Sequence, residues 1–445
     1  MSTQYKVFIT PLESRSVYGT EIEITDHVID GGVSAIRRGI DSTDYGFGAF
    51  FFDDIQIKCL NLQGVLNDES DVRSIFKYSR DVAKVRVVYS DSNGDTITFR
   101  GLINEEATKL DATKDEITFR ILSRDSVLRN TQVSGGSISA GNTVSQAIIA
   151  ILNQSNITAV LNFDPLNINP DLNFIIDDGS ALENKSVKEA LNSLLLTSNS
   201  TILIDEDDNI IVRNRDHNED RDIINLYGPY DIHRRQNIID IKNYNTGKQR
   251  MFTAVKVNDS EETNSGYQTQ FGYRQKTIQA DYITTESTER DIGANLVEQF
   301  KTPKIELEVV VPTHVIRDAQ IFDVVSINHP LRLEPIPDTF FPIVGQAEIG
   351  DAMTPLPYSF GSVSIVDTMG FKIIEIKEDV KNFNTTLKLR QIGTEFGDGY
   401  FTSSTCGIIG FAVIETSTIC LEGDPADAFN PSVLGAAVIG YTEVA

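Results

Sequence analysis

Tryptophan is absent from this chain of 445 residues, methionine occurs 4 times, and cysteine only at Cys59, Cys406 and Cys420. Thiols without any C-x-x-C spacing exclude a zinc ribbon and a thioredoxin-type redox pair, and their odd number speaks against a disulfide framework. They fit free thiols in a protein made in a reducing cytoplasm, with Cys406 and Cys420 able to pair only if their strands are adjacent. No apolar run reaches the roughly 18 residues that a membrane span needs. The opening MSTQYKVFITP has no apolar core of signal-peptide length, so neither a span nor a secretory leader is expected. Positive charge is scarce too. Lys and Arg total 39 against 64 Asp and Glu, a formal net charge of −25. Phosphate contacts need clustered Lys and Arg, which speaks against nonspecific DNA binding by a single chain. The same balance fits either a soluble, self-repelling surface or a wall that a polyanion passes without sticking.

The signatures of chemistry are missing as well. There is no phosphate-cradling G-x-x-x-x-G-K-[ST], no convincing G-x-G-x-x-G between strand and helix, no H-E-x-x-H and no G-x-S-x-G elbow. The histidines, His27, His217, His233, His314 and His329, are scattered, and solvated loop positions explain them better than metal ligation. The acidic turn Asp205-Glu206-Asp207-Asp208-Asn209 lacks the later Gly and Glu of a calcium loop, so hairpin turn chemistry accounts for it. Asp53 and Asp54 are adjacent; on a strand they would face opposite sides and could not flank one glycosidic bond. A Ser/His/Asp triad is defined in space, and nothing in the sequence favours one. No catalytic, cofactor-binding or metal residue is assigned, and the chain is read as a non-enzyme.

What is present is mostly strand. KVRVVYSDSNGDTITFRGLI (residues 84–103) alternates on both sides of Asn93-Gly94, the pair that tolerates positive φ in a tight hairpin turn. EITFRILSR (116–124) supplies a third strand, and Ile55, Ile57 and Cys59 alternate in a fourth. SDVRSIFKYSR (70–80) predicts a short helix. Residues 131–230 change character. Val144, Ala147, Ile148, Ile151 and Leu152 fall at helical spacing, and Ser186-x-x-Glu189 is a capping box opening a second helix. TILIDEDDNIIVRNR (201–215) then reads as strand, acidic turn, strand. Residues 231–395 return to β with one helix, where Ile292, Leu296, Val297 and Phe300 share a face and Pro303 ends it. IELEVVVP (305–312), AQIFDVVSINHP (319–330) and the hairpin FKIIEIKEDVKNFNTTLKLRQIG (371–393) follow. After Arg390 no Lys or Arg occurs. Two apolar stretches there, GIIGFAVIET (407–416) and GAAVIGYTEV (435–444), fit either a hairpin packed on the preceding domain or a tail that adds strands to a neighbour.

In order, these elements resemble a family. ITDHVIDGGVSAIRRGID, FFFDDIQIKCLNLQG and VRVVYSDSNGDTITFRGLIN look like the first barrel of phage tail hub proteins, which are also related to type VI secretion spike bases. There an apolar strand with an L-x-N-x-x-G ending (here Leu60 to Gly64, offset by one) precedes a hairpin ending in F-x-G (Phe99-Arg100-Gly101). SVKEALNSLLLTSNSTILIDEDDNIIVRNR is similar to their helix followed by strand, Asp turn and strand. QKTIQADYITTESTERDIGANLVEQFKTPKIELEVV, with the D-V-V strand at Asp323, is similar to their second barrel, and residues 371–393 to its final hairpin. Gly64, Gly101 and Asp323 are thus the structural signature positions. The resemblance spans about residues 5–395.

It implies a mainly β fold with an α+β insert: two related small β-barrels at 1–130 and 231–395 and an α+β module at 131–230; the apolar C-terminal β segment at 396–445, read as serving docking or strand addition, has no counterpart in the family. It also implies a homotrimer whose six barrels form a pseudo-sixfold ring, continuing the tail-tube lumen and adapting it to a threefold tip during DNA ejection. Tail tube or distal tail protein, and fibre or spike, would be the partners. DNA would cross the lumen without specific binding, and three chains would bring about −75 to it. Such a protein resides in the virion tail after assembly in the host cytoplasm. Two other readings stand beside this one, a hexameric distal tail ring protein with a single barrel and a tail-associated cell-wall or capsule glycan hydrolase.

Overall fold

In a tight hairpin, Lys84–Asp91 and Gly94–Asp111 pair from Gly94↔Asp91 to Leu102↔Lys84, with a bulge between Ile97 and Phe99. Gly94 sits at φ +122°, which only glycine adopts freely, so the Asn-Gly signal is answered. The structure is a computed structural model that describes residues 4–14, 17–40, 48–67, 83–204, 209–214, 223–227, 236–245, 247–328 and 370–392. It is mainly β, with a curled half-barrel sheet and a few helices. The chain divides into two units, one from Met1–Asp222, Ile239–Asp323 and Lys372–Arg390, the other from Ile223–Ile238, Val324–Phe371 and Gln391–Ala445.

The curled sheet belongs to the first unit and has seven strands. From edge to edge they are Ile22–Glu23, Gln4–Thr10, Lys84–Asp91, Gly94–Asp111, Glu116–Ser123, Ile55–Leu60 and Val28–Val33. The two edge strands are neighbours in sequence. Five peptide steps from Glu23 to Val28 reach at most about 18 Å. A flat sheet of this width would separate its edges by about 29 Å. The sheet must therefore curl until its ends approach. Period-two burial follows, with Tyr5, Val7 and Ile9, Ile55, Ile57 and Cys59, Val85, Val87 and Tyr89, and Ile117, Phe119 and Ile121 all turned into one core.

A second, longer sheet path has the order Asn162–Ile168, Asn209–Asn214, Ser200–Ile204, Gly48–Phe52, Ile36–Ile40, Gly370–Asp379, Asn384–Gln391, Glu306–Pro312 and Asp240–Asn245. Its middle is informative. Ile36–Ile40 and Gly48–Phe52 lie in the chain between two strands of the curled sheet, yet they pair with Glu375–Glu378 on one side and Thr201–Ile202 on the other.

The helices obey local rules. Val144–Leu152 buries the five residues expected of it, and Thr143 with Gln146 forms a capping box. Val187–Thr197 starts at the Ser186/Glu189 box, each side chain satisfying the other's backbone amide. Glu286–Phe300 buries Ile292, Leu296, Val297 and Phe300 and packs on the small sheet of Ala254–Val257, Ser260–Thr263 and Gln275–Ile278. A further short helix, Ser265–Phe271, buries none of its residues, which is why no apolar stripe announced it. In the second unit, Ile224–Tyr227 pairs in parallel with Val324–Asn328. The expected helix at 70–80, the acidic turn 205–208 and the segment 396–445 lie outside the described residues.

Candidate functional site: the arginine junction between the sheets

Strand Ile36–Ile40 carries two adjacent arginines, which strand geometry sends to opposite faces. Arg37 donates to Glu375 through Nε at 2.7 Å and Nη2 at 3.0 Å, a fork that fixes geometry as well as charge. This bond holds the Arg37 guanidinium above its ordinary pKa. Arg38 has other partners. Its Nη2 lies 3.6 Å from Glu378 Oε1 and donates to the Ala319 carbonyl at 3.1 Å, while Nη1 donates to the Thr98 carbonyl at 3.4 Å. One side chain thereby ties the curled sheet, the longer sheet and the segment after Pro312.

Burial pushes the Glu378 carboxyl up, and Arg38 together with the Tyr5 hydroxyl, which donates to it at 3.2 Å, pulls it back. Burial and the nearby Glu378 push the Tyr5 hydroxyl up in turn. Arg317 makes the third tie. It donates through Nη1 to buried Asp91 at 2.9 Å and through Nε to Asp318 at 3.3 Å. Around these groups lies a cleft of about 80 Å³ bordered by Arg38, Arg100, Arg124, Arg317, Phe52 and Phe99. Glu378 stands against Arg38, and Asp91 and Asp318 against Arg317; Asp125 accepts from the Ser123 hydroxyl, and burial pushes its carboxyl up. The hydroxyls in the lining are those of Thr96, which donates to Asp318 at 3.3 Å, and Thr98, which donates to the Val87 carbonyl at 3.3 Å.

The signature positions fall elsewhere, and none of the three lines the cleft. Gly64, at φ +70°, closes the turn Leu62–Gly64, where Asn61 Oδ1 accepts from the Leu66 amide at 2.9 Å. Gly101 sits inside a strand that continues to Asp111, and a Cβ there would lie 2.4 Å from the Leu122 carbonyl oxygen. Asp323 precedes its strand, and its Oδ2 accepts from the Gln320 amide at 2.8 Å, closing a turn. Asp53 and Asp54 separate as their adjacency suggested, although they link two strands and belong to neither. Asp53 approaches Arg37 at 3.5 Å, while Asp54 accepts from Arg120 at 3.0 Å and Arg129 at 3.1 Å. Cys59 is buried and free, its thiol pushed up to about 12 by that burial. His27 and His314 occupy separate turns; His217, His233, His329, Cys406 and Cys420 lie outside the described residues. Among the described residues, no group of three or more His, Cys, Asp or Glu is placed to hold a metal, and no helix is long and apolar enough to cross a membrane. Sequence reasoning passed over Arg37, Arg38, Arg317 and Glu378. Two arginines in the middle of the strand-like SAIRRGI were the available signal, because buried arginines need partners.

No protein-family model matches the chain, and no curated protein matches its sequence. Solved structures similar to it include tail proteins. The 43 kDa tail protein of prophage MuSo2 from Shewanella oneidensis is 12% identical, with 87% of this chain and 96% of that one covered and a TM-score of 0.47. Prophage tail protein gp18 from Listeria monocytogenes is 11% identical, with 86% and 94% covered and a TM-score of 0.48. A tail protein from Neisseria meningitidis is 13% identical, with 87% and 96% covered and a TM-score of 0.48.

Proposed function

We propose that this chain is a structural subunit of a phage tail, sited in the baseplate or tail-tip hub, and that it works by assembly and not by catalysis. The observation that carries this reading is the exchange of strands Ile36–Ile40 and Gly48–Phe52 out of the curled sheet into the longer one, sealed by Arg37–Glu375 and Arg38–Glu378. The chain crossing between the sheets, with the hydrogen bonds from Arg38 to the Thr98 carbonyl and from Tyr5 to Glu378, ties the two sheets into one body, as a load-carrying part requires. In the one cleft described, Arg38 pairs with Glu378, Arg317 pairs with Asp91 and Asp318, and the Thr96 hydroxyl is taken up by a bond to Asp318 at 3.3 Å. In this reading three copies form a pseudo-sixfold ring that prolongs the tail tube. The net charge of −25 per chain keeps transiting DNA from adhering. Tail tube or distal tail protein would sit on one side of the ring, and fibre or spike on the other.

Native mass spectrometry of the purified chain, with negative-stain images, tests the proposal. A trimer with an open centre is expected. A hexamer would transfer the chain to the distal ring class. A monomer that releases reducing ends from cell-wall or capsular glycan would overturn the structural reading.

A further inference from the structure

The final hairpin ends in a turn whose side chains belong to a core far from it in sequence. Val380 is buried within the core of the curled sheet, and Phe383 packs against that core. The Phe383 ring stacks on Tyr5 at 5.7 Å between centroids, and Tyr5 meets Tyr89 edge-on at 5.3 Å. The turn is built to present these groups. Asp379 Oδ1 accepts from the Lys381 and Asn382 amides at 3.1 and 3.2 Å, and its Oδ2 accepts from the Asn382 side-chain amide at 2.7 Å. Phe383 is held at φ +53°, a conformation that a bulky residue adopts only where its surroundings impose it. On the receiving side, Gly31 stands where a Cβ would come within 3.2 Å of the Lys381 side chain.

We infer that the turn Val380–Phe383 is a plug that closes the curled sheet, so that the packing of this sheet is switched by the seating of the C-terminal hairpin. The sheet's two edge strands approach one another without being paired, which leaves an opening in its wall. The base of the turn is held from the longer sheet, where the Thr313 amide donates to the Phe383 carbonyl at 2.9 Å, while the tie to the curled sheet is the Tyr5–Glu378 bond at 3.2 Å. Withdrawing the turn exposes the Tyr5–Tyr89 end of the core without breaking a ladder of the curled sheet. The inference does not depend on the assembly reading.

Hydrogen exchange by mass spectrometry on the full chain tests it, comparing the wild type with Phe383→Ala, Phe383→Gly and the milder Val380→Ala. With Phe383→Ala, peptides covering 85–91 and 117–121 should exchange on the order of a hundredfold faster, while helix Val187–Thr197 keeps its protection. Phe383→Gly relieves the backbone strain but removes the ring, and it should open the same peptides. Val380→Ala should open them several-fold, and it serves as the test if the Phe383 variants do not fold. Unchanged protection in the curled sheet, equal loss in the helix, or protection restored by Phe383→Gly would each overturn the plug.

Discussion

Helix Val187–Thr197 and strand Ile36–Ile40 reach order by opposite routes. The helix carries its instructions within about a dozen residues, with a cap at Ser186, a reciprocal acid at Glu189 and an apolar face of Val187, Ala190, Leu191, Leu194 and Leu195. The strand carries almost none. Its hydrogen-bonding partners are Glu375–Glu378 at one edge and residues 50–52 at the other, and beside nearby Asp53 its charges are answered by Glu375 and Glu378, more than 300 positions away. Where order is local, a sequence displays it. Where order is an agreement between distant segments, either segment alone looks ordinary.

Substitutions can break or sharpen this contrast. The largest effect belongs to Glu378→Ala, which leaves Arg38 buried without its carboxylate and should cost about 3–5 kcal/mol. Chemical denaturation should show both sheets weakening together; loss confined to the longer sheet would show that the junction is not shared. Gly101→Ala forces a Cβ against the Leu122 carbonyl and should cost about 3 kcal/mol. Calorimetry should register it, with exchange concentrated in the Gly94–Asp111 and Glu116–Ser123 ladder. Ser186→Ala removes one half of a cap and should cost about 1 kcal/mol, felt first as faster exchange in the opening turn of its own helix. If that variant loosened strand Ile36–Ile40 equally, the division between local and distant order would fail.

The smallest effect joins the two routes. Asp177 accepts from the Thr284 and Thr285 amides at 2.6 and 2.9 Å, capping helix Glu286–Phe300 from 108 residues away. Those backbone bonds, with the threonine hydroxyls, hold its carboxyl below the ordinary carboxylate value. A depressed folded pKa stabilises above the unfolded value of about 3.9 and is lost as pH falls through the folded value. Exchange at the start of this helix should therefore quicken below about pH 4, and Asp177→Asn should remove the pH dependence. The group is largely exposed, so about 0.5 kcal/mol is at stake. An unchanged acid profile in Asp177→Asn would assign the cap to another group.

The contrast also explains which parts were readable. The Asn93-Gly94 turn, the alternation at Ile55, Ile57 and Cys59, both capping-box helices and the face of Glu286–Phe300 declare themselves through spacing. The junction does not. Arg37, Arg38 and Arg317 become a site only when strands hundreds of residues apart align. The Tyr282 hydroxyl was equally silent, although it donates to the Ser193 carbonyl at 2.9 Å and its pKa is pushed up to about 12 by burial. Asp323 was noticed for its sequence neighbourhood, yet its work is to close a turn before the strand.

The Tyr5–Glu378 contact spans 373 residues, and that separation is also an interval of time. At about 5–20 residues per second of synthesis, the partner of strand Ile36–Ile40 arrives roughly 20–70 s after the strand itself. Until then the edge of the strand away from Gly48–Phe52 faces water or any other strand within reach. A nascent chain of this kind depends on something to shield that edge, and the ribosome's pace sets how long the shielding must last.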